Sequence, residues 1–300
     1  MTGYVIEAVE VTKAYGTTKA LDRVSFKLES DKIYGLLGRN GAGKTTLMHI
    51  LTAQLFATSG DVRLFGETPY ENDAALRQVC FIKESQVYPK TLRVKDVLEL
   101  SASFFPNWDR EFAAELVRDF ELPLDRRMSK LSRGMLSSVG IIVGLASRAP
   151  VTIFDEPYLG LDAVARGLFY DRLLQDYAER PRTVLLSTHL IDEVSRMLEH
   201  VLLIDRGRLL LNEEADALRS QAYTLTGPKA KAESFASGRV VLHAESIGGL
   251  SSLTVKGTLS PESKRQAESL GLEVGPVSLQ QLFIHLTNHT SSEGKETIAR

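Results

Sequence analysis

Only one cysteine, Cys80, occurs in the 300 residues, so no disulfide can form within the chain and a reducing compartment fits best. No charge of one sign prevails: 36 Lys and Arg stand against 38 Asp and Glu, a net charge of -2. That balance argues against a protein whose main business is coating nucleic acid, although a local basic patch stays possible. Long hydrophobic runs are also missing. The nearest candidate, Val139 to Ala146, contains Gly140 and Gly144 and is closed by Arg148, well short of the roughly 20 apolar residues that span a bilayer. The start, Met1-Thr2-Gly3-Tyr4-Val5-Ile6-Glu7, lacks the basic-then-apolar pattern of a secretion signal. The expectation is a cytoplasmic chain that does not cross a membrane itself.

What is present is an ordinary globular balance, 43% hydrophobic and 25% charged, sufficient for a sizeable core. The length suggests two domains at about 150 residues each. Tyr4 to Val11 alternate as a strand does, a turn follows at Tyr15 to Thr18, and Val24 to Leu28 read as another strand. Ile33 to Leu37 form a short apolar strand that runs into a glycine turn, after which Leu47, Ile50, Leu51 and Leu55 recur at helical spacing. Between Lys95 and Ser147 the pattern is helical, with Asp109 capping one helix and another predicted over Arg133 to Ser147. Strands return at Val151–Phe154, Thr183–Ser187 and Val201–Ile204, with helices expected at Ala163–Ala178 and Leu190–Leu198. Short apolar strands alternating with helices predict an α/β fold with a largely parallel sheet, divided by a helical insert. Beyond about Gln221, Thr226 to Lys231 read as a linker or loop. Val240–Leu242, Leu253–Val255 and a closing amphipathic run of Leu279, Leu282, Phe283 and Leu286 suggest a small α+β appendage.

Gly38-Arg39-Asn40-Gly41-Ala42-Gly43-Lys44-Thr45 fits the phosphate-loop pattern G-x-x-x-x-G-K-[ST]. Its glycines let successive backbone N–H groups turn inward to phosphate oxygens, and the helix that follows adds its positive end. Lys44 can reach the β- and γ-phosphates, and the Thr45 hydroxyl can ligate Mg²⁺. The nucleotide-contacting set is therefore Gly38, Asn40, Gly41, Gly43, Lys44, Thr45 and Thr46. A second signal is the apolar strand ending in Asp155-Glu156, since the C-terminal edge of such a sheet is where ligands bind. Asp155 would hold Mg²⁺, and Glu156 could orient and deprotonate the water that attacks the γ-phosphate.

These motifs, in this order, resemble the nucleotide-binding subunit of an ATP-binding-cassette (ABC) transporter over roughly residues 4–220. Leu131-Ser132-Arg133-Gly134-Met135 stands where that family has its signature L-S-G-G-Q, departing at Arg133 and Met135 while keeping Ser132 and Gly134. Tyr15 stands where the family stacks an aromatic ring on adenine. Leu159-Gly160-Leu161-Asp162 resembles the loop that crosses the dimer interface, and His189 the switch histidine at the γ-phosphate. Glu84 falls where a glutamine normally touches Mg²⁺ and water, with Gln86 two residues later. A carboxylate there suits Mg²⁺ but adds negative charge beside the triphosphate.

The resemblance implies a P-loop ATPase over residues 1–220 with an N-terminal β subdomain, a parallel-sheet core and a helical subdomain over about 90–147; the remaining pattern predicts a small accessory domain over 221–300. It implies ATP and Mg²⁺ as ligands, with Glu156, His189 and Lys44 as catalytic groups. It further implies a homo- or heterodimer that sandwiches ATP between the phosphate loop of one subunit and Ser132 and Gly134 of the other. Separate membrane-spanning partners would place the chain at the cytoplasmic face of the membrane. The runs Phe154 to Asp162 and Ser187 to Val194 look like those of bacterial drug- and antibiotic-exporter subunits. Two alternatives are a soluble ABC ATPase acting on ribosomes or DNA and a weakly hydrolysing nucleotide-gated module. The first lacks a second cassette, a long coiled-coil insert and a basic footprint. The second is motivated by Glu84 and the altered signature and opposed by the intact Glu156.

Overall fold

The structure is a computed structural model that describes residues 3–84 and 86–282; Phe283 and Leu286 of the closing run lie outside them. The first alternating segments become β1 (Tyr4–Tyr15) and β2 (Thr18–Glu29). β3 (Ile33–Leu37) leads through the glycine turn into α1 (Lys44–Leu51). Then come β4 (Ser59–Leu64), α2 (Asp73–Leu76) and β5 (Val79–Ile82). The predicted helical stretch holds α3 (Val94–Phe104), α4 (Arg110–Asp119) and α5 (Arg133–Ala146). After it come β6 (Val151–Asp155), α6 (Ala163–Glu179), β7 (Thr183–Thr188) and α7 (Ile191–Val194). β8 (His200–Asp205), β9 (Arg208–Glu214) and α8 (Ala215–Ser220) follow.

β2, β1 and β4 make a three-stranded antiparallel sheet. The central sheet has the order β5-β6-β7-β3-β8-β9, and its pairings from β5 through β8 are parallel. Every residue of β3, β6 and β7 is buried, as strands covered on both faces must be, which explains their unbroken apolar character. One core gathers Ile6, Leu28, Leu36, Leu47, Ile50, Ile153, Leu185 and Ile204. A buried ionic cluster ties α4 to α6 and β7: Asp176 accepts from both Arg148 and Arg182. Asp109 Oδ2 accepts from Arg148 at 3.2 Å and from Arg180 at 3.0 Å. Cys80 is fully buried beside it, and burial pushes its thiol up to about 12, so it stays an unreactive thiol. Among the described residues no helix is long and apolar enough to cross a membrane.

Two expectations change. The helix predicted at Leu190–Leu198 is a single turn, α7. Ser195 Oγ donates back to the Asp192 carbonyl at 3.0 Å, and Arg219 takes the Ser195 carbonyl, so the backbone groups that would carry the helix onward are claimed by side chains. The linker or loop expected at Thr226–Lys231 is the end of β10 (Ala222–Pro228) and the start of α9 (Lys229–Ala236). Tyr223, Leu225 and Gly227 are buried in alternation there, but a Thr-Gly-Pro-Lys run shows no apolar period.

The described chain divides into two compact units. One runs to His189 and resumes over Met197–Asn212; the other takes Leu190–Arg196 and the residues from Glu213 onward. In the second unit β10 and α9 are followed by β11 (Val241–Ile247), β12 (Leu250–Lys256), α10 (Pro261–Ser269) and β13 (Glu273–Pro276). The sheet order β11-β12-β10-β13, all antiparallel, with its β-α-β-β-α-β succession is the ferredoxin-like split arrangement. Tyr223, Leu225, Leu253 and Val255 form its core with Ala232 and Ala267 of the helices.

Candidate nucleotide site

The site is assembled at the C-terminal ends of β3 and β6, where a parallel sheet presents its loops. Gly43 opens α1 with φ of 110°, and a β-carbon there would lie 2.6 Å from the Ala20 carbonyl oxygen; only glycine lets the chain turn into the helix at this point. No side chain caps α1, and no acidic residue stands in its first turn, which leaves that helix end suited to an anion.

A cavity of about 610 Å³ is lined by Arg39 through Thr46, Glu84, Asp155, Glu156, Leu159 and His189, with Ala20 at its edge. It brings together Asn40, Gly41, Gly43, Lys44, Thr45, Thr46, Glu84, Asp155, Glu156 and His189 from the sequence-based set. Gly38 lies just behind it, its carbonyl accepting from Lys44 Nζ at 2.7 Å. Gln86 and Glu84 both line an adjoining recess of about 430 Å³ with Thr45, His49 and Asp155, and of these two glutamine-loop candidates Glu84 also lines the larger cavity. Glu84 also pairs with Arg133 at 3.4 Å.

Four residues of the set stand apart from this cavity. Tyr15 is 54% exposed, with Lys13 Nζ 5.2 Å from its ring centroid. Ser132 caps α5, accepting from the Met135 N–H at 3.2 Å, and Gly134 lies in the first turn of that helix. Asp162 caps α6, accepting from the Ala165 N–H at 2.8 Å.

Lys44 Nζ lies 3.8 Å from Glu156 Oε1. Burial lowers the lysine's pKa, and the Glu156 and Asp155 charges oppose that shift. Thr45 Oγ1 donates to Asp155 Oδ2 at 2.8 Å, while Asp155 Oδ1 is buried with no hydrogen-bond partner. An alcohol and a carboxylate with one oxygen unspent are an all-oxygen donor set of the kind Mg²⁺ takes. Among the described residues no cluster of three or more His, Cys, Asp or Glu could hold a metal, so such an ion would complete its shell with water and phosphate oxygens, as Mg²⁺ commonly does.

Glu156 has φ of 49°, an uncommon conformation for a residue with a side chain. Its Oε2 lies 2.7 Å from His189 Nδ1 and accepts from the Tyr158 hydroxyl. Sequence reasoning missed Tyr158. Its position directly after Asp-Glu-Pro was the available signal, but periodicity cannot show that a buried ring turns its hydroxyl back on the preceding carboxylate.

Comparison with known proteins agrees with this geometry. The family model described as ABC transporter matches residues 21–159. The bacitracin transport ATP-binding protein BcrA of Bacillus licheniformis is 31% identical over 221 residues, covering 72% of each chain. The daunorubicin/doxorubicin resistance ATP-binding protein DrrA of Streptomyces peucetius is 26% identical over 310 residues, 96% of this chain and 94% of its own. The dimeric post-hydrolysis structure of the ATP-binding cassette MJ0796, bound to ADP and Pi, superposes with a TM-score of 0.61 at 22% identity, covering 70% of this chain and 98% of that one. The phosphate loop, the acidic strand end and these relatives together show that the chain belongs to the ABC transporter ATP-binding family and is an ATPase of that type.

Proposed function

We propose that this ATPase powers a membrane transporter that exports drugs or antibiotics, with ATP held between two such subunits seated on separate membrane-spanning chains at the cytoplasmic face. The observation that carries the sandwich is the division of the motif set. Lys44, Thr45, Asp155, Glu156 and His189 surround one cavity, whereas Ser132 and Gly134 belong to the start of a helix outside it. A helix N-terminus with a serine cap and a glycine in its first turn suits phosphate oxygens, and a second subunit can bring it to them. The exporter direction is supported by the relatives named for bacitracin transport and for daunorubicin/doxorubicin resistance.

In the reading we favour, Lys44 binds the β- and γ-phosphates as a point charge, and the N-terminus of α1 holds the phosphates beside it. Thr45 and Asp155, with Glu84 nearby, would hold Mg²⁺, which when bound would supply positive charge to the phosphate oxygens. Glu156 accepts the proton of the attacking water. His189 shares its Nδ1 proton with Glu156, because a carboxylate only accepts; its Nε2 then donates to the γ-phosphate when the ring carries both protons. Tyr15 stacks on adenine, and the Asp162 loop faces the opposite subunit.

Light scattering of Glu156→Gln in saturating Mg-ATP tests the sandwich. Turnover should fall by about 10²–10⁴-fold, and the protein should accumulate as a dimer. Adding Ser132→Arg should return it to monomer with ATP still bound. A monomeric Glu156→Gln in saturating nucleotide would remove the sandwich. For export, deleting the gene and measuring antibiotic susceptibility decides: unchanged susceptibility across peptide and anthracycline antibiotics would count against this substrate class.

A further inference from the structure

Tyr158 is 2% exposed and does not line the nucleotide cavity, so it cannot touch the substrate. Its hydroxyl nevertheless meets the site at four points. It donates to Glu156 Oε2, lies 2.6 Å from Thr188 Oγ1 and, at the longest, 3.5 Å from His189 Nδ1, and accepts the His189 backbone N–H at 3.2 Å. A phenol has one proton and two lone pairs. The carboxylate can only accept, so the proton goes to Glu156 and the Thr188 hydroxyl must donate; one donor and two acceptor positions are then filled. Burial, followed by the bond to Glu156, holds that phenol proton on well above the ordinary tyrosine range.

We propose that Tyr158 is a positioning residue for hydrolysis: its hydroxyl, with His189 Nδ1, commits Glu156 Oε2 and leaves Oε1, the oxygen on the Lys44 side, to take the proton from water. The same hydroxyl fixes the His189 backbone, so the carboxylate and the histidine are held as one unit. The left-handed backbone at Glu156 persists only where its surroundings hold it, and Tyr158 is part of that hold. This inference rests on the assignment of Glu156 as the base.

Tyr158→Phe in the full chain removes the hydroxyl and keeps the ring. Oε2 then loses a donor, and the carboxylate is no longer held with Oε1 on the Lys44 side. At neutral pH kcat should fall by about ten- to a hundred-fold, as expected for loss of a hydrogen bond to a charged group, with KM for ATP unchanged. Thr188→Val, which frees the hydroxyl to rotate, should lower kcat by less, again with KM for ATP unchanged, and it decides the matter if Tyr158→Phe does not fold. A wild-type kcat overturns the proposal, as does a parallel loss of activity, ATP binding and melting temperature, which would mark a merely structural ring. Glu156→Gln run alongside separates the failures. If it is inactive while Tyr158→Phe is normal, only the role of Tyr158 falls; if Glu156→Gln keeps the wild-type rate, both fall.

Discussion

A β-carbon on Gly134 would lie 2.6 Å from the carbonyl oxygen of Gly160. The first turn of α5 therefore rests directly on the backbone of the loop that ends at Asp162, and Ser137 Oγ adds a bond to the Leu159 carbonyl at 2.6 Å. Gly134→Ala forces the two apart, at about 1–3 kcal/mol by analogy with overpacked cores. ATP-driven dimerisation should weaken while ATP still binds the phosphate loop of the same chain. Light scattering and nucleotide titration read the two separately; unchanged dimerisation would sever this contact from the interface.

Burial depresses the Lys44 pKa below the ordinary lysine value, while a triphosphate favours the charged form. ATP affinity should accordingly decline as pH rises through that lowered value, earlier on the alkaline side than for an ordinary lysine. For folding the sign is opposite: the unfolded chain binds the proton more readily here, so the burial penalty is present at neutral pH and relieved at alkaline pH. Lys44→Arg should remove the alkaline loss of affinity, because arginine stays protonated. A flat affinity profile for the wild-type chain would contradict this.

Thr45 and Asp155 should act as a pair in metal dependence. Thr45→Val removes the alcohol ligand and also the hydrogen bond that orients Asp155. ATP affinity measured with Mg²⁺ should fall toward the value measured with EDTA, and Asp155→Asn should do the same. Additive effects of the two substitutions would show that the residues work independently.

Asp109 caps α4 by accepting from the Phe112 N–H at 2.9 Å and pairs with Arg148 and Arg180. The cap first, and then the arginine contacts, hold its carboxyl below the ordinary range. Its contribution is thus complete above the usual aspartate pKa and is lost as pH falls through the lowered value. Asp109→Ala should cost about 1–2 kcal/mol at neutral pH, with a smaller difference from wild type in acid. Urea titrations at two pH values test both.

The phosphate loop and the acidic strand end were legible because they need contiguous residues: a turn between Gly38 and Gly43, and two carboxylates directly after an apolar strand. Asp109 and the start of α5 were legible for a similar reason, since caps act over three residues. The Tyr158 hydroxyl was not, because its contacts with Thr188 and His189 exist only once β6 and β7 pair in parallel. β10 was hidden by Thr226, Gly227 and Pro228, whose strand conformation comes from pairing with β12 and β13. The α7 turn was over-read because Ile191, Val194 and Leu198 are buried at helical spacing, while the Ser195 and Arg219 side chains that end the helix act through contacts invisible to a period.

α5 is buried continuously from Ser138 to Ala146 and only partly covered nearer its start. At its root Gly144 leaves no cushion, since a β-carbon there would meet the Phe154 ring at 2.4 Å. The helix is thus a strut held at both ends, packed at its root against the strand that carries Asp155 and resting near its tip on the Leu159–Gly160 backbone. A displacement at the acidic strand end therefore reaches the first turn of α5 along two routes at once, through the helix and through the loop beneath it.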